Sequence, residues 1–278
     1  MEDNVGKYII ADGVIEDSSQ TDDIDMNKGN MVYEVIRIID GTPLFFADHY
    51  SRMVESFLAI NSNMSIHSTE LRKQIGKLVE ANGNKNCNVK FVVFVINGLQ
   101  KVVGYISKSY YPTIEQINNG VQVGLLRLER QNPNIKLVNQ EYKRTVNKEI
   151  SESGIFEVLL VNNDGYITEG SASNVFFVKK NKIVTTPGDR VIKGVTRKHI
   201  IEACKSTKYE GTEELTHVNE LDEVEGVFLT GTSKNVLPVS AIGDKRYSSA
   251  QHPVIIAVRD AYDQLMQKDI KENTYILK

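Results

Sequence analysis

The chain has no tryptophan, two cysteines and six prolines among its 278 residues. Cys87 and Cys204 stand far apart in sequence and make neither a disulfide framework nor a metal site of familiar spacing. The five histidines form no HxxxH or HxH pair, so metal catalysis is not expected. Positive charge is not in surplus: 33 lysines and arginines face 36 acids, for a net charge of −3 and a pI near 6.0. No global basic field exists to recruit nucleic acid or an anionic membrane. The densest basic cluster, Lys179-Lys180-Asn181-Lys182, reads as a solvated hairpin turn. The longest apolar run, Phe91 to Ile96, has the length of a strand and is too short to span a bilayer. The opening Met1-Glu2-Asp3-Asn4 is acidic and lacks the basic and apolar regions of a signal peptide. An intracellular, reducing, cytoplasmic setting is the expectation.

What is present is ordinary for a globular chain: 41% hydrophobic and 25% charged residues. The length suits one large domain or two modest ones. Val32 to Ile39 is rich in β-branched residues and is followed by Asp40-Gly41, a two-residue hairpin signal. Asp48 can cap a helix carrying Met53, Phe57 and Ile60 at helical spacing, and Ser68 or Thr69 starts another carrying Leu71, Ile75, Leu78 and Val79. Val89 to Ile96 and Val102 to Ile106 read as strands paired around Asn97-Gly98. Later strands are expected at Val121 to Leu126, Glu157 to Val161, Gly165 to Thr168, Asn174 to Val178, Ile183 to Thr186 and Val227 to Thr230. Turns are expected at Asp164-Gly165 and Asn181-Lys182, and helices at Gln140 to Ser153, Thr196 to Ser206 and His252 to Gln267. Strands and helices alternate without βαβ regularity, which predicts an α+β fold with two subdomains. The boundaries expected are 1–112 for a smaller N-terminal domain, 113–120 for a linker and 121–278 for a larger C-terminal domain.

Four segments carry residue types suited to chemistry. The first is Val32-Tyr33-Glu34-Val35-Ile36-Arg37, followed by Asp48-His49-Tyr50-Ser51-Arg52. The second is Asn134-Ile135-Lys136-Leu137-Val138-Asn139, with Tyr142 beyond it. The third runs from Gly165 to Asn174 and contains Thr168-Glu169-Gly170-Ser171. The fourth is a pair of anion-cradle candidates, Lys193-Gly194-Val195-Thr196-Arg197 and Phe228-Leu229-Thr230-Gly231-Thr232-Ser233. Taken alone, each residue has a plainer reading. Lys136 is then a solvated lysine, Glu169 a strand end, Arg52 a helix-surface ion pair, Thr232 a turn residue and Tyr33 a core residue. Lys143 and Lys148 lie in a charged stretch of the following helix and read as surface. Together, a nucleophilic amine and an acid able to pair with a ring nitrogen are what a pyridoxal-phosphate site needs.

The order and content of these segments resemble the class IV aminotransferases, from about Tyr8 to Ile242. This pyridoxal-phosphate family includes branched-chain and D-amino-acid aminotransferases and 4-amino-4-deoxychorismate lyases. The resemblance implies the two-domain fold of the D-amino-acid aminotransferase-like type, with the cofactor in the cleft between domains. It matches Lys136 to the Schiff-base lysine and Glu169, 33 residues on, to the acid at the pyridine nitrogen. It matches Arg52, Val195, Thr196 and Thr232 to phosphate contacts, and Ser173 and Asn174 to residues lining the cofactor. Tyr33 matches an active-site tyrosine, and Arg37 and Ser233 are further substrate-side candidates. Thr196 at a helix N-cap, with free N–H groups behind it, suits a phosphate on physical grounds as well.

The Tyr33-Glu34-Val35-Ile36-Arg37 strand resembles the aminotransferases more than the lyases. That implies ping-pong transfer of an amino group from an amino acid to a 2-oxo acid, with glutamate and 2-oxoglutarate as one pair and a branched-chain or other apolar partner. The alternatives are pyruvate elimination giving 4-aminobenzoate, D-amino-acid transamination, and a non-catalytic cofactor-binding homologue. The sequence departs from the family in three places. Phe94 to Lys101 lacks the Arg-x-His carboxylate trap of the D-specific enzymes. Asn30-Met31 stands for the usual Gly-Asp. Thr232-Ser233-Lys234-Asn235-Val236 places a lysine near the mouth of the site. The resemblance also implies a homodimer.

Overall fold

A computed structural model describes residues 3–20, 30–96, 99–129 and 140–274. Lys136 and Asn139, and the Asn97-Gly98 turn, lie outside the described residues. The chain divides into two compact units. Among the described residues, one holds those up to 110 together with 266–274, and the other holds those from 111 to 265.

The first unit contains β1 (Asn4–Ala11), β2 (Val14–Asp17), β3 (Asn30–Ile39), β4 (Thr42–Pro43), α1 (Phe46–Ala59), α2 (Ser68–Asn82), β5 (Cys87–Ile96) and β6 (Leu99–Ser107). Its described strands form one antiparallel sheet ordered β2-β1-β6-β5-β3-β4. Alternation along a strand sends successive side chains to opposite faces. Val32, Ile36, Ile38, Val89, Phe91 and Val93 share one buried cluster with Met53 and Phe57 of α1 and Leu71, Ile75 and Leu78 of α2. Met31, Val92, Phe94, Val103 and Tyr105 form a second cluster, against which Tyr33 packs. Phe91 faces Gly104 across the β5–β6 ladder, and a Cβ there would sit 2.6 Å from the phenyl ring, so only glycine fits. The β3–β4 hairpin turns on Asp40 and Gly41, both at positive φ, as the sequence predicts.

The first helix begins differently from the expectation. Its N-cap is Phe45, in the left-handed region at φ 49°, and Asp48 lies inside the first turn. The Phe45 N–H donates to Asp269 Oδ2 at 2.8 Å, so a distant carboxylate supplies the anchor expected of Asp48. Strands β1 and β2, joined through Asp12-Gly13, were not among the expected elements. Val5 and Val14 are exposed on them, which blurs the pattern.

The second unit contains α3 (Ile114–Asn119), β7 (Val121–Arg127), α4 (Gln140–Ser153), β8 (Glu157–Val161), β9 (Tyr166–Gly170), β10 (Asn174–Lys179), β11 (Lys182–Thr185), α5 (Val195–Lys205), β12 (Gly211–Glu213), β13 (Thr216–His217), β14 (Gly226–Gly231), β15 (Asn235–Ile242) and β16 (Lys245–Arg246). The helix α6 (Pro253–Asn273) follows. The stretch expected to be a linker folds as α3, held by a capping box between Thr113 and Gln116. The described strands form a mixed sheet ordered β12-β11-β10-β14-β15-β7-β8-β9-β13, with β16 on β15. Strand β8 is buried along its whole length. Val158 and Leu160 meet Val146 of α4, while Leu159 and Val161 join Val123, Val175, Phe177, Leu229 and Leu237 in the main core. Burial on both faces explains why Val158 to Val161 reads as an unbroken apolar run. On β10 and β14, Phe176 and Phe228 stack with centroids 5.0 Å apart. The turn between β10 and β11 falls on Lys180 and Asn181, at φ 50° and 59°, one residue earlier than expected. No described helix is long and apolar enough to cross a membrane.

Both thiols are buried, and burial pushes Cys87 up to about 11 and Cys204 up to about 12. The thiolate is the reactive species, so both should resist alkylation near pH 8 in the native state and react on unfolding, measured by mass spectrometry. A raised folded-state value contributes stability that is present below the ordinary thiol range of about 8.5 and lost as pH climbs through the folded values. Rapid native alkylation near neutral pH would contradict the burial.

Candidate functional site

The residues singled out from the sequence lie partly in the first unit and partly in the second. In the second unit, β9 ends at Gly170 and β10 begins at Asn174, with Gly170 N–H donating to Ser173 O at 2.9 Å across the turn. This tight reversal sets Glu169 and Asn174 on either side of one segment. Glu169 is buried, and its Oε2 accepts the Ile192 N–H at 3.3 Å. Asn174 is buried too, and its Nδ2 donates to Ile192 O at 3.0 Å. The backbone at Ile192 is therefore held from both sides, two residues before Gly194.

Gly194 is the N-cap of α5, with extended backbone and no side-chain cap. A Cβ at Gly194 would lie 2.3 Å from Asn174 Oδ1, so the close approach admits only glycine. Val195 and Thr196 are the first two helical residues and both are buried. Thr196 is thus the second residue of the helix, not its cap, because Gly194 already supplies the break. The Lys198 N–H closes the first helical bond on Gly194 O, so the N–H groups of Val195, Thr196 and Arg197 have no partner inside the helix. The guanidinium of Arg197 turns the other way, donating to Thr186 O at 2.7 Å and to Glu213.

The second anion-cradle candidate is the turn between β14 and β15. Lys234 N–H donates to Gly231 O at 3.0 Å, leaving Thr232 and Ser233 half-buried at the tip. Asn174 pairs with Thr230 on the adjoining ladder, which brings this turn beside the Gly170–Ser173 turn. Thr230 is fully buried, and its Oγ1 has no hydrogen-bond partner among the described residues. Tyr142, read from the sequence as packing, reaches the same place: its hydroxyl donates to Ser171 O at 2.7 Å. Lys143 and Lys148 are exposed, as expected.

In the first unit, Tyr33 and Arg37 project from the same face of β3, and Glu34 from the other. Arg52 does not lie free on a helix surface. Its Nε and Nη2 donate to Glu34 Oε1 and Oε2, each at 2.8 Å, and His49 Nδ1 lies 2.6 Å from Glu34 Oε2. Glu34 is 1% exposed. Glu34 and His49 were not among the residues expected to have a role. A carboxylate on the apolar face of an alternating strand, Val32-x-Glu34-x-Ile36-x-Ile38, is the signal that marks it.

A family model described as Amino-transferase class IV matches residues 31–242. The D-alanine aminotransferase of Bacillus licheniformis is 29% identical over 245 residues, covering 84% of this chain and 86% of its own length. A probable branched-chain-amino-acid aminotransferase of Thermotoga maritima is 28% identical over 248 residues, covering 87% of each. Among solved structures, the branched-chain aminotransferase of the thermophilic archaeon Thermoproteus uzoniensis with norvaline superposes with a TM-score of 0.84 at 21% identity, covering 96% of this chain and 97% of its own. A second branched-chain amino acid aminotransferase, complexed with N-(5'-phosphopyridoxyl)-L-glutamate, superposes equally well, with a TM-score of 0.84 at 21% identity over 96% of each chain. These last two likenesses are ones of fold.

Removing one partner of a buried ion pair leaves the other charge uncompensated, at a cost of about 3–5 kcal/mol. Glu34→Gln should therefore destabilise the protein by about that much in denaturant unfolding. Combining it with Arg52→Met should cost less than the sum of the single changes, because the two groups share one interaction. Additive effects would show that the pair is not coupled.

Proposed function

The chain belongs to the class IV aminotransferase family, and on that premise we propose that it moves an amino group between an amino acid and a 2-oxo acid with pyridoxal 5'-phosphate as cofactor. The observation that carries the reading is the grip of Glu169 and Asn174 on the backbone that opens α5. A buried acid and an uncapped helix N-terminus are held to one short segment. These residues fit the cofactor. The first-turn N–H groups and the helix dipole favour a phosphate, Gly194 leaves room for it, and the buried carboxylate suits a protonated ring nitrogen.

When bound, the cofactor supplies an electron sink for the charge left at the substrate α-carbon. The roles assigned to the chain follow from the family. Lys136 holds the cofactor at rest and, once displaced, carries the proton to and from the substrate α-carbon. Glu169 keeps the ring nitrogen protonated. Arg52, Val195, Thr196 and Thr232 take the phosphate, Ser173 and Asn174 line the cofactor, and Tyr33, Arg37 and Ser233 face the substrate. The Glu34 carboxylate and His49 fix the Arg52 guanidinium, so that Arg52 meets an anion without having to be ordered at binding.

The donor is a branched-chain or other apolar amino acid, with glutamate and 2-oxoglutarate as the second pair. The name of the Thermotoga relative supports this. The lyase reading is not favoured, since the relatives described above are aminotransferases. The active form is a homodimer in the cytoplasm.

The test is a product assay with pyridoxal phosphate, 2-oxoglutarate and single amino acids, following formation of glutamate. Branched-chain donors should yield glutamate. Lys136→Ala should abolish turnover while the fold is retained, and Glu169→Gln should slow proton abstraction without releasing the cofactor. Pyruvate and 4-aminobenzoate from aminodeoxychorismate, or full activity in Lys136→Ala, would refute the assignment.

A further inference from the structure

Glu157 and Lys234 lie outside the residues assigned above, yet they join the two turns on which several of those residues stand. Glu157 opens β8 and is 2% exposed. Its Oε1 accepts the Ala172 N–H at 2.7 Å and the Ser173 hydroxyl at 2.8 Å, with the Ser171 hydroxyl at 3.4 Å. Its Oε2 takes the Lys234 ammonium at 2.7 Å. The same ammonium donates to Ala172 O at 3.1 Å and sits 5.8 Å from the Phe156 ring centroid. Lys234 itself closes the turn that carries Thr232 and Ser233. One buried carboxylate and one lysine thus fasten the Gly231–Lys234 turn to the Gly170–Ser173 turn through both main chain and side chain.

Resting on the reading in the preceding subsection, we propose that Lys234 and Glu157 are a positioning pair for the cofactor site, holding Thr232, Ser173 and Asn174 in binding register. A carboxylate this deeply buried requires a compensating cation, and the lysine provides it. The corollary concerns specificity. The charge of Lys234 is committed to Glu157, so the lysine near the mouth of the site does not serve as a receptor for a substrate carboxylate. The pair acts through the turns, as the outer partners of metal ligands act through the ligands they orient.

The experiment compares the full-length protein with Lys234→Met, Lys234→Arg, Glu157→Gln and the Lys234→Met/Glu157→Gln double variant. Pyridoxal phosphate affinity is measured by equilibrium dialysis. Turnover at saturating cofactor is measured with amino acid donors that carry one or two carboxylates. Lys234→Met should weaken cofactor binding by roughly ten- to a hundredfold, by analogy with the range for residues that orient metal ligands. Lys234→Arg should recover most of that loss. The double variant should bind no worse than Lys234→Met, because glutamine keeps an Oε1 acceptor for Ala172 and Ser173 and removes the buried charge that Lys234→Met leaves uncompensated. The ratio of kcat/KM between one- and two-carboxylate donors should not change.

A wild-type chain that takes up no pyridoxal phosphate overturns the functional reading and this inference together. If the wild type binds and Lys234→Met binds equally well, the inference alone fails. A loss in Lys234→Met confined to the KM of two-carboxylate donors also overturns it, by making Lys234 a substrate contact. Should Glu157→Gln not fold, the Lys234→Met and Lys234→Arg comparison still decides.

Discussion

Between Thr168 and Asn174 the chain reverses direction in three residues while keeping a carboxylate buried at its inner end. A buried acid is tolerated only with partners, and a reversal this tight leaves backbone groups that also need them. The fold meets both demands locally. Glu169 and Asn174 clamp Ile192, and Glu157 takes the Ala172 N–H and the Ser173 hydroxyl from beneath. The start of α5 is set by the first clamp, because Gly194 lies two residues beyond Ile192 and fits against Asn174 only without a side chain. The position of the β14–β15 turn depends on the second, through Lys234. Every assigned residue of the second unit lies in, or is joined to, this one reversal.

The first unit uses the same physics. Glu34 faces the core from the middle of β3, where an unpaired carboxylate would cost several kcal/mol. The bidentate fork of Arg52 and the ring of His49 offset that cost, and both come from a single turn of α1. Buried ion pairs are weak contributors to net stability but strong determinants of geometry, since breaking one is far more costly than never having made it. Both units thus fix a cationic side chain by means of a buried glutamate: Arg52 by Glu34, Lys234 by Glu157.

Much of this was legible in the sequence for physical reasons that differ from element to element. Strand β8 and helix α4 stand at the expected residues because the apolar run Val158 to Val161 marks the one and an amphipathic period marks the other. The Asp40-Gly41 hairpin was legible because few residue pairs tolerate two positive φ values in succession. The grouping of Glu169 to Asn174 with Gly194 to Thr196 followed from motif order. What the sequence concealed is tertiary. Nothing near Phe45 announces that Asp269, more than two hundred residues away, anchors its N–H. Nothing in Glu157-Val158-Leu159-Leu160-Val161 tells that its first residue is as buried as the rest. Lys234, read as a cation at the mouth of the site, proves to be paired inward. Strands β1 and β2 escaped because Val5 and Val14, on their exposed side, break the alternation.

The measurement that tests the account most directly is an absorption spectrum of the purified protein with pyridoxal phosphate, repeated after adding single L- and D-amino acids. The account predicts a violet-region band that persists through removal of free cofactor and disappears with an apolar amino acid of one handedness. A protein that shows no such band after incubation with the cofactor would contradict the central claim about Lys136 and the site built around Glu169.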